Sequence, residues 1–514
     1  MQDSDTALGV SLHDILSRLK SQPHVYPTVD VSYSPTQPIA NPVVLNLPRN
    51  GVRLRFDGPD QRLRLIEVLD FTKIKLSYKS NELLKMYSSA PEALTPVSGI
   101  TGPTFRQVYD KLLGPTFPGE YIPPNPDEAF DKGTYVLSYP GVAFSFPLLA
   151  SAWSPSVNFL SLLSSSATSP ATSMAIFNGE SWPKARTNLF TQASPNPRSL
   201  ALIGRGKEGG PDEVELARVH GEGRVELIRR SSPPFWIVLS ETTPQDLVAE
   251  LGPPDAIYRK NDRRLSIHKT RASGGSMGRA DDVSPVTPEY PTDMNHSSSH
   301  TETDESDGDN HMTATANARE LAAAECFYNY FHHGFDILIS QPTSLSAPAP
   351  TTALRQSSAQ TVRSSLRSSN HVTATKVIFH ANIPGSYPFN RHRRSRWTLE
   401  HIQDEHHKGF LTSECFFGDI SDRLKEVFRE TYSNEEEELS QQRPMVLNRG
   451  WGDSPGSSCE LLGGWEESTS GEKGGAAAAA ATLEQGLGNT ELFGFPGMVF
   501  EVLKSGAVSA LTIF

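Results

Sequence analysis

Cysteine is scarce in this chain of 514 residues: Cys326, Cys415 and Cys459 are the three present. They are too few and too scattered for a disulfide framework or a four-ligand zinc site, so a reducing compartment is expected. Positive charge is also short, with 47 Lys plus Arg against 59 Asp plus Glu and a formal net charge of -12. That balance argues against wrapping by nucleic acid, which demands a cationic surface. No apolar run approaches the roughly 18 residues of a bilayer-spanning helix. The opening MQDSDTALGV carries acidic residues where a secretory leader has basic ones, so a cytoplasmic protein is expected. Walker loops and CxxC pairs are missing as well.

What is present is uneven. Residues of roughly 270–318, 341–371 and 433–490 are poor in apolar side chains and rich in Ser, Thr, Gly, Asp or His, and read as disordered insertions. With these set aside, a pattern recurs at Gly51, Gly141, Gly334 and Gly497. Each glycine is followed by apolar residues one, three and five positions later, such as Val52, Leu54 and Phe56 after Gly51. A period of two places one strand face on a core, and the glycine suits a tight turn. Upstream of each lies an amphipathic helical pattern: Leu12, Ile15, Leu16, Leu19; Phe105, Val108, Tyr109, Leu112; Pro244, Leu247, Val248, Leu251; and Ile420, Leu424, Val427. Thr104 with Gln107 and Thr243 with Pro244 are start signals, and Gly114 and Gly252, each before proline, are stops. Further strands are expected at 63–68, 174–177, 376–380 and 507–513.

The fold class is therefore α+β: four related units, each an amphipathic helix followed by a small antiparallel β-meander. Their bounds are 1–80, 100–240, 241–400 and 413–514. A hairpin at 213–229, with His220-Gly221-Glu222-Gly223 at its tip, is assigned to the second unit.

Catalytic constellations are weak. Gly204, Gly206 and Gly209 match the dinucleotide spacing, but Pro211 and the alternation of Val214 and Leu216 follow where a helix should open. A nucleotide enzyme built there would be stabilised thermally by nucleotide. Gly274, Ser276 and Gly278 match a nucleophile elbow without the strand and helix that strain it. His401, Glu405 and His406 lack a complete metalloprotease pattern and read as a solvated segment. His332 and His333 read as a hairpin turn. No catalytic residue, metal or cofactor is expected.

Basic residues are better placed. Arg53, Arg55, Arg62, Arg64, Lys73 and Lys75 fall on one polar side of the first unit, with Leu54, Leu63, Leu65 and Ile74 opposite. Such a face suits anionic lipid headgroups or an acidic partner. The plain alternative is a solvated face neutralised by Asp57, Asp60, Glu67 and Asp70. A second cluster, Arg391, Arg393, Arg394 and Arg396, reads as a surface turn or a contact for phosphoinositide or protein.

The run VVLNLPRNGVRLRFDGPDQRLRLIEVLDFTKIKLSY resembles the N-terminal signature of the phagosome assembly factor 1 family. Further blocks agree in order: PTFRQVYDKLLGPTFPG, PGVAFSFP, QDLVAELGPPDAIYRK, CFYNYFHHGFDILI, TKVIFHANIPGSYPFN and FPGMVFEVLKSGAVSALTI. The resemblance implies a non-enzymatic adaptor in autophagy at the forming phagophore. It would act with a β-propeller partner that engages phosphoinositides, and sit peripherally on phagophore or Golgi membranes. Alternatives are direct phosphoinositide binding and Golgi-to-plasma-membrane transport. The insertions depart from the family pattern and add acidic, phosphorylatable surface.

Overall fold

The computed structural model describes residues 8–78, 81–82, 102–124, 132–191, 212–259, 325–341, 372–402, 409–448 and 489–514. These form an α+β protein whose sheets are mostly antiparallel and whose helices are few and short.

The first sheet starts with β1 (Asp30–Ser32), β2 (Val43–Leu47), β3 (Val52–Phe56) and β4 (Leu63–Val68). A short ribbon of β5 (Ser77–Tyr78) and β6 (Asn81–Glu82) follows. Then come β7 (Glu120–Ile122), β8 (Lys132–Tyr139), β9 (Val142–Leu149) and β10 (Ser173–Phe177). Rather than standing as separate small sheets, the two runs fuse: β4 pairs with β10, giving eight strands in the order β1-β2-β3-β4-β10-β9-β8-β7. On one face, helix Leu12–Ser21 buries Leu12, Ile15, Leu16 and Leu19 against β2, β3 and β4. Ser11 caps it by accepting from the Asp14 amide, satisfying a donor the first turn leaves open. The π-helical turn Gln107–Leu112 packs Val108 against the β8–β9 half, with Thr104 and Gln107 bonded as expected at its start. On the opposite face, Leu65, Ala143 and Phe177 pack with Leu189 beside helix Trp182–Asn188.

The chain continues through β11 (Val214–Gly221), β12 (Arg224–Arg229), β13 (Phe235–Val238), β14 (Ala256–Arg259), β15 (Cys326–Tyr330), β16 (Phe335–Ser340) and β17 (Thr373–His380). It ends with β18 (Trp397–Leu399), β19 (Leu411–Thr412), β20 (Met445–Asn448), β21 (Asn489–Phe495), β22 (Met498–Leu503) and β23 (Val508–Ile513). A second eight-stranded sheet has the order β14-β15-β16-β17-β23-β22-β21-β20, again two meanders joined at their last strands. A five-stranded sheet, β13-β12-β11-β18-β19, packs on it. Their shared core includes Val219, Leu227, Ile337, Phe379, Trp397 and Phe500, with Leu247 and Leu251 of helix Pro244–Leu251 and Ile420 and Leu424 of helix Phe417–Phe428. Thr243 and Asp246 form the capping box that starts the former.

Several expectations are corrected. The 213–229 hairpin leaves the second unit, because β11 pairs in parallel with β18 instead of joining β7–β10. Val248 and Val427 lie on exposed helix faces, outside the apolar stripe. The stretch 433–490 begins with structure: Asn434 accepts from the Glu437 amide to cap helix Glu435–Gln441, and β20 follows. Glu436 and Glu437 in the first turn of that helix complement its positive end. Residues 270–318 and 342–371 lie outside the described residues, as do Gly204, Gly206, Gly209, the Gly274–Gly278 match, Glu405, His406 and Cys459.

All four patterned glycines have positive φ: Gly51 at 67°, Gly141 at 81°, Gly334 at 88° and Gly497 at 74°. Each turns the chain into the third strand of a four-strand run, β3, β9, β16 or β22. Their surroundings differ. A Cβ on Gly334 would lie 2.3 Å from the Arg393 carbonyl oxygen and 2.9 Å from the Ser395 nitrogen, whereas at Gly497 its nearest neighbour is the Phe514 oxygen at 3.7 Å. Gly497→Ala is therefore expected to cost about 1–2 kcal/mol, the left-handed backbone penalty alone. Gly334→Ala should cost at least about 2 kcal/mol more, because backbone must move. Chemical denaturation midpoints of the two variants check the order.

Candidate functional site

The loop between β17 and β18, residues 381–396, is where the halves of the protein meet. Asn382 and Gln61 exchange hydrogen bonds, the Asn382 amide nitrogen to Gln61 Oε1 and Gln61 Nε2 to the Asn382 carbonyl, both at 2.8 Å. Ile39 packs on Ala381, Ile383 and Ala507, and Phe389 packs on the core beneath helix Leu12–Ser21.

Two arginines from each basic cluster converge here, and all four are buried. Arg62 is 6% exposed, Arg64 7%, Arg393 4% and Arg394 3%. Glu213 Oε1 accepts from both Arg62 Nη2 and Arg393 Nη1, and Arg393 Nη2 also donates to the Val214 carbonyl at 2.6 Å. Arg394 donates to three carbonyls: Pro59 at 2.6 Å, Ala381 at 2.9 Å and Ser413 at 3.2 Å. Arg64 pairs with buried Asp57. Arg396 reaches Asp60 at 2.7 Å and Glu414 at 2.8 Å.

Burial, reinforced by Arg62, pulls the Arg393 pKa down to about 9, and burial brings Arg394 to about 10. Burial also lowers Arg62 against the pull of Asp60, Asp14 and Asp57. Asp57 is raised by burial more than Arg64 lowers it.

The expected six-residue basic face is thus corrected. Arg55 opposes Leu65 and the next pair is Phe56 with Leu63, so Arg64 is the extra residue of a β-bulge and strict alternation fails there. Arg53 and Arg55 keep the expected partly exposed face, with Arg53 Nε donating to Asn46 Oδ1 at 2.8 Å and Arg55 lying 5.7 Å over the Phe190 ring. Lys73 and Lys75 are exposed, but in a turn beyond β4; Lys73 pairs with Asp70 at 3.3 Å. Of the second cluster Arg391 alone is exposed, and Arg396 is intermediate. A surface turn at 391–396 is therefore not what forms. His401 holds the Val219 carbonyl at 3.2 Å through Nδ1.

Beside the arginines lies a group that patterning missed. Asp336 of β16 accepts from His392 Nε2 on Oδ1 at 2.8 Å and from His380 Nε2 on Oδ2 at 2.9 Å, while Asn329 Nδ2 donates to Oδ1 at 2.8 Å. The turn histidines are buried too: His332 pairs with Asp255, and His333 stacks on Phe335 at 5.6 Å. A signal for Asp336 existed in the sequence, since a lone carboxylate inside the apolar run FDILI must find a partner once both strand faces are covered. β16 is buried on both faces, correcting the half-buried expectation, because the 381–396 loop closes over the face opposite the core.

Burial pushes the Asp336 carboxyl up, but hydrogen bonds from His380 and His392 outweigh it and hold it well below the carboxylate range. Burial, with the charge of His380, pushes His392 down to about 4 against the attraction of Asp336.

Among the described residues, Asp336, His380 and His392 are the one trio of ligand-type side chains close enough to consider for a metal, their ligand atoms lying within 4.8 Å of one another. The orientation does not fit an ion. The two rings are stacked 18° from parallel with centroids 3.9 Å apart, so their in-plane lone pairs run side by side instead of converging. His392 Nδ1 also has no acceptor to orient a metal-bound tautomer. The trio is a hydrogen-bonded clasp.

The fold and these buried networks define a class of α+β protein: mostly antiparallel sheets joined by internal ion pairs. The chain belongs to the phagosome assembly factor 1 family, which it matches over residues 3–283 and 366–514. The unmatched 284–365 covers most of the first two expected insertions. It is similar to a PHAF1 protein of Arabidopsis thaliana, 23% identical with 99% of this chain and 90% of the plant protein covered. A Drosophila melanogaster PHAF1 protein is 22% identical over the same shares. One from Caenorhabditis elegans is 25% identical over 51% of this chain and 60% of its own length. No solved structure matches. The family is named for assembly and not for a reaction. Among the described residues no helix is long and apolar enough to cross a membrane.

Glu213→Ala leaves two buried guanidiniums without their shared carboxylate and is expected to destabilise by about 3–5 kcal/mol. Lys75→Ala, an exposed change, should stay within about 0.5 kcal/mol of the parent. Denaturant titration of both proteins measures the contrast.

Proposed function

We propose that this protein is a non-enzymatic adaptor or assembly factor in autophagy, recruited to the forming phagophore with a β-propeller partner that engages phosphoinositides. Membership of the phagosome assembly factor 1 family, with nearly the whole chain covered by the plant and insect relatives, is the observation that supports it. The reading includes a cytoplasmic protein that meets membranes peripherally, and four related helix-plus-meander units. Positive-φ glycines at the start of β3, β9, β16 and β22 support that relationship.

An adaptor needs a surface for its partner, and the terminal strands of the second sheet, which among the described residues pair on one side only, offer one. β20 pairs with β21 on one side, and its Met445 and Val446 are 68% and 62% exposed. Such an edge accepts an additional strand through main-chain hydrogen bonds, with apolar side chains supplying specificity. The test is affinity purification of the tagged full chain from fed and starved cells, followed by mass spectrometry. The expected result is recovery of a β-propeller protein with autophagy machinery, lost when Met445 and Val446 are both changed to lysine while the thermal midpoint stays within a few degrees. Recovery of nothing above background sinks the adaptor reading; unchanged recovery by the lysine variant sinks the edge assignment.

Direct phosphoinositide binding is the second reading, and the accessible cations Arg53, Arg55, Lys73 and Lys75 favour it. It also suits a factor in Golgi-to-plasma-membrane transport. It requires salt-sensitive binding of the purified chain to phosphoinositide vesicles, abolished when those four become glutamate. Vesicle binding that ignores the substitutions removes this face from consideration.

A further inference from the structure

The clasp at Asp336 sits on the joint that binds the first sheet to the rest, and its chemistry makes that joint conditional. At neutral pH each imidazole donates its Nε2 hydrogen to one carboxylate oxygen, and Asn329 fills a remaining acceptor site. His392 Nδ1 is then a buried lone pair without a partner. Phe331 closes over the His392 ring edge-on, with centroids 4.9 Å apart. A proton that settles on Nδ1 of His392 finds no acceptor there.

Asp336 can balance one imidazolium. A second leaves an uncompensated positive charge in a stack whose rings are 3.9 Å apart, with Arg391 adding repulsion from the same loop. The nearby turn offers no spare carboxylate, since Asp255 is engaged by His332, and His333 adds another imidazole. Glu213 is occupied by Arg62 and Arg393. Leaving the stack for water is the route that restores hydration to His392.

His392 is followed directly by Arg393 and Arg394, which hold Glu213 and the Pro59 carbonyl. Movement of His392 therefore pulls on the same backbone that carries the joint. We propose that Asp336, His380 and His392 form an acid-sensitive latch, in which protonation of His392 expels the 381–396 loop and releases the first sheet from the second. This inference is independent of the adaptor reading.

The direction follows from linkage. His392 has a folded pKa of about 4, below its ordinary value of 6.5, so the opened loop takes up a proton that the closed loop refuses. Closure is fully favoured above pH 6.5 and weakens as pH falls towards 4. Between pH 6.5 and 4.5 the opening equilibrium should rise by roughly ten- to fifty-fold.

Hydrogen exchange of the full chain, read by mass spectrometry and corrected for the pH dependence of the chemical rate, tests this. Peptides from 381–396 and 57–64 are expected to lose protection over that range, while those from β8 and β9 keep theirs. His392→Gln can still donate to Asp336 but cannot charge, and should stay protected across it. Asp336→Asn should open the loop already at neutral pH. Unchanged loop protection down to pH 4.5, loss of protection everywhere at once, or a His392→Gln protein that opens like the parent each overturns the latch. If His392→Gln does not fold, the comparison of loop with β8 and β9 in the parent still decides.

Discussion

Glu213 between Arg62 and Arg393 is the contact on which the arrangement of the sheets depends. Arg62 leads into β4, Glu213 leads into β11 and Arg393 belongs to the loop before β18, so one carboxylate joins three regions distant in the chain. Two guanidiniums on one carboxylate leave a net positive charge indoors, and burial of such charge is costly unless every donor is directed. Part of that direction is supplied by the carbonyls of Gly9 for Arg62 and Val214 for Arg393, with Asp60 and Asp14 close to both; the neighbouring Arg394 has its own three carbonyls, Pro59, Ala381 and Ser413. The network sets where the sheets sit relative to one another, a geometry that apolar contact alone would specify loosely.

The same loop performs two tasks. One side of it locks the arginines, and the other covers β16 and supplies His392 to Asp336. Gly334 shows how tightly these are coupled, because the β15–β16 turn approaches the backbone of Arg393 and Ser395 too closely for any side chain. Backbone bonds from Arg393 to Phe331 and from Ser395 to His380 complete the contact. Strand, turn and loop are therefore joined through backbone contacts as well as through side chains.

Much of the fold was legible from period and punctuation. Helix Leu12–Ser21 and helix Pro244–Leu251 follow from their spacing and caps, and strands β3, β9, β16 and β22 from the glycine and alternation. These are local signals, set by neighbours within a few residues. Less legible was the fusion of meanders through β4 with β10 and β17 with β23, and the parallel pairing of β11 with β18, since each depends on partners far along the chain. The candidate site was legible only as residue types. Arg62, Arg64, Arg393 and Arg394 were visible as cations, but the bulge at Arg64 and the closure of the loop turned them inward.

Sequence by itself determined the α+β character, the principal helices, the glycine-led strands and the family to which the chain belongs. Tertiary structure decided which cations meet solvent and which meet Glu213, and it brought Asp336 to two histidines 44 and 56 residues away. The division has a physical origin. Period and capping are short-range properties of the backbone, whereas the state of a buried charge depends on which distant groups share its low-dielectric surroundings.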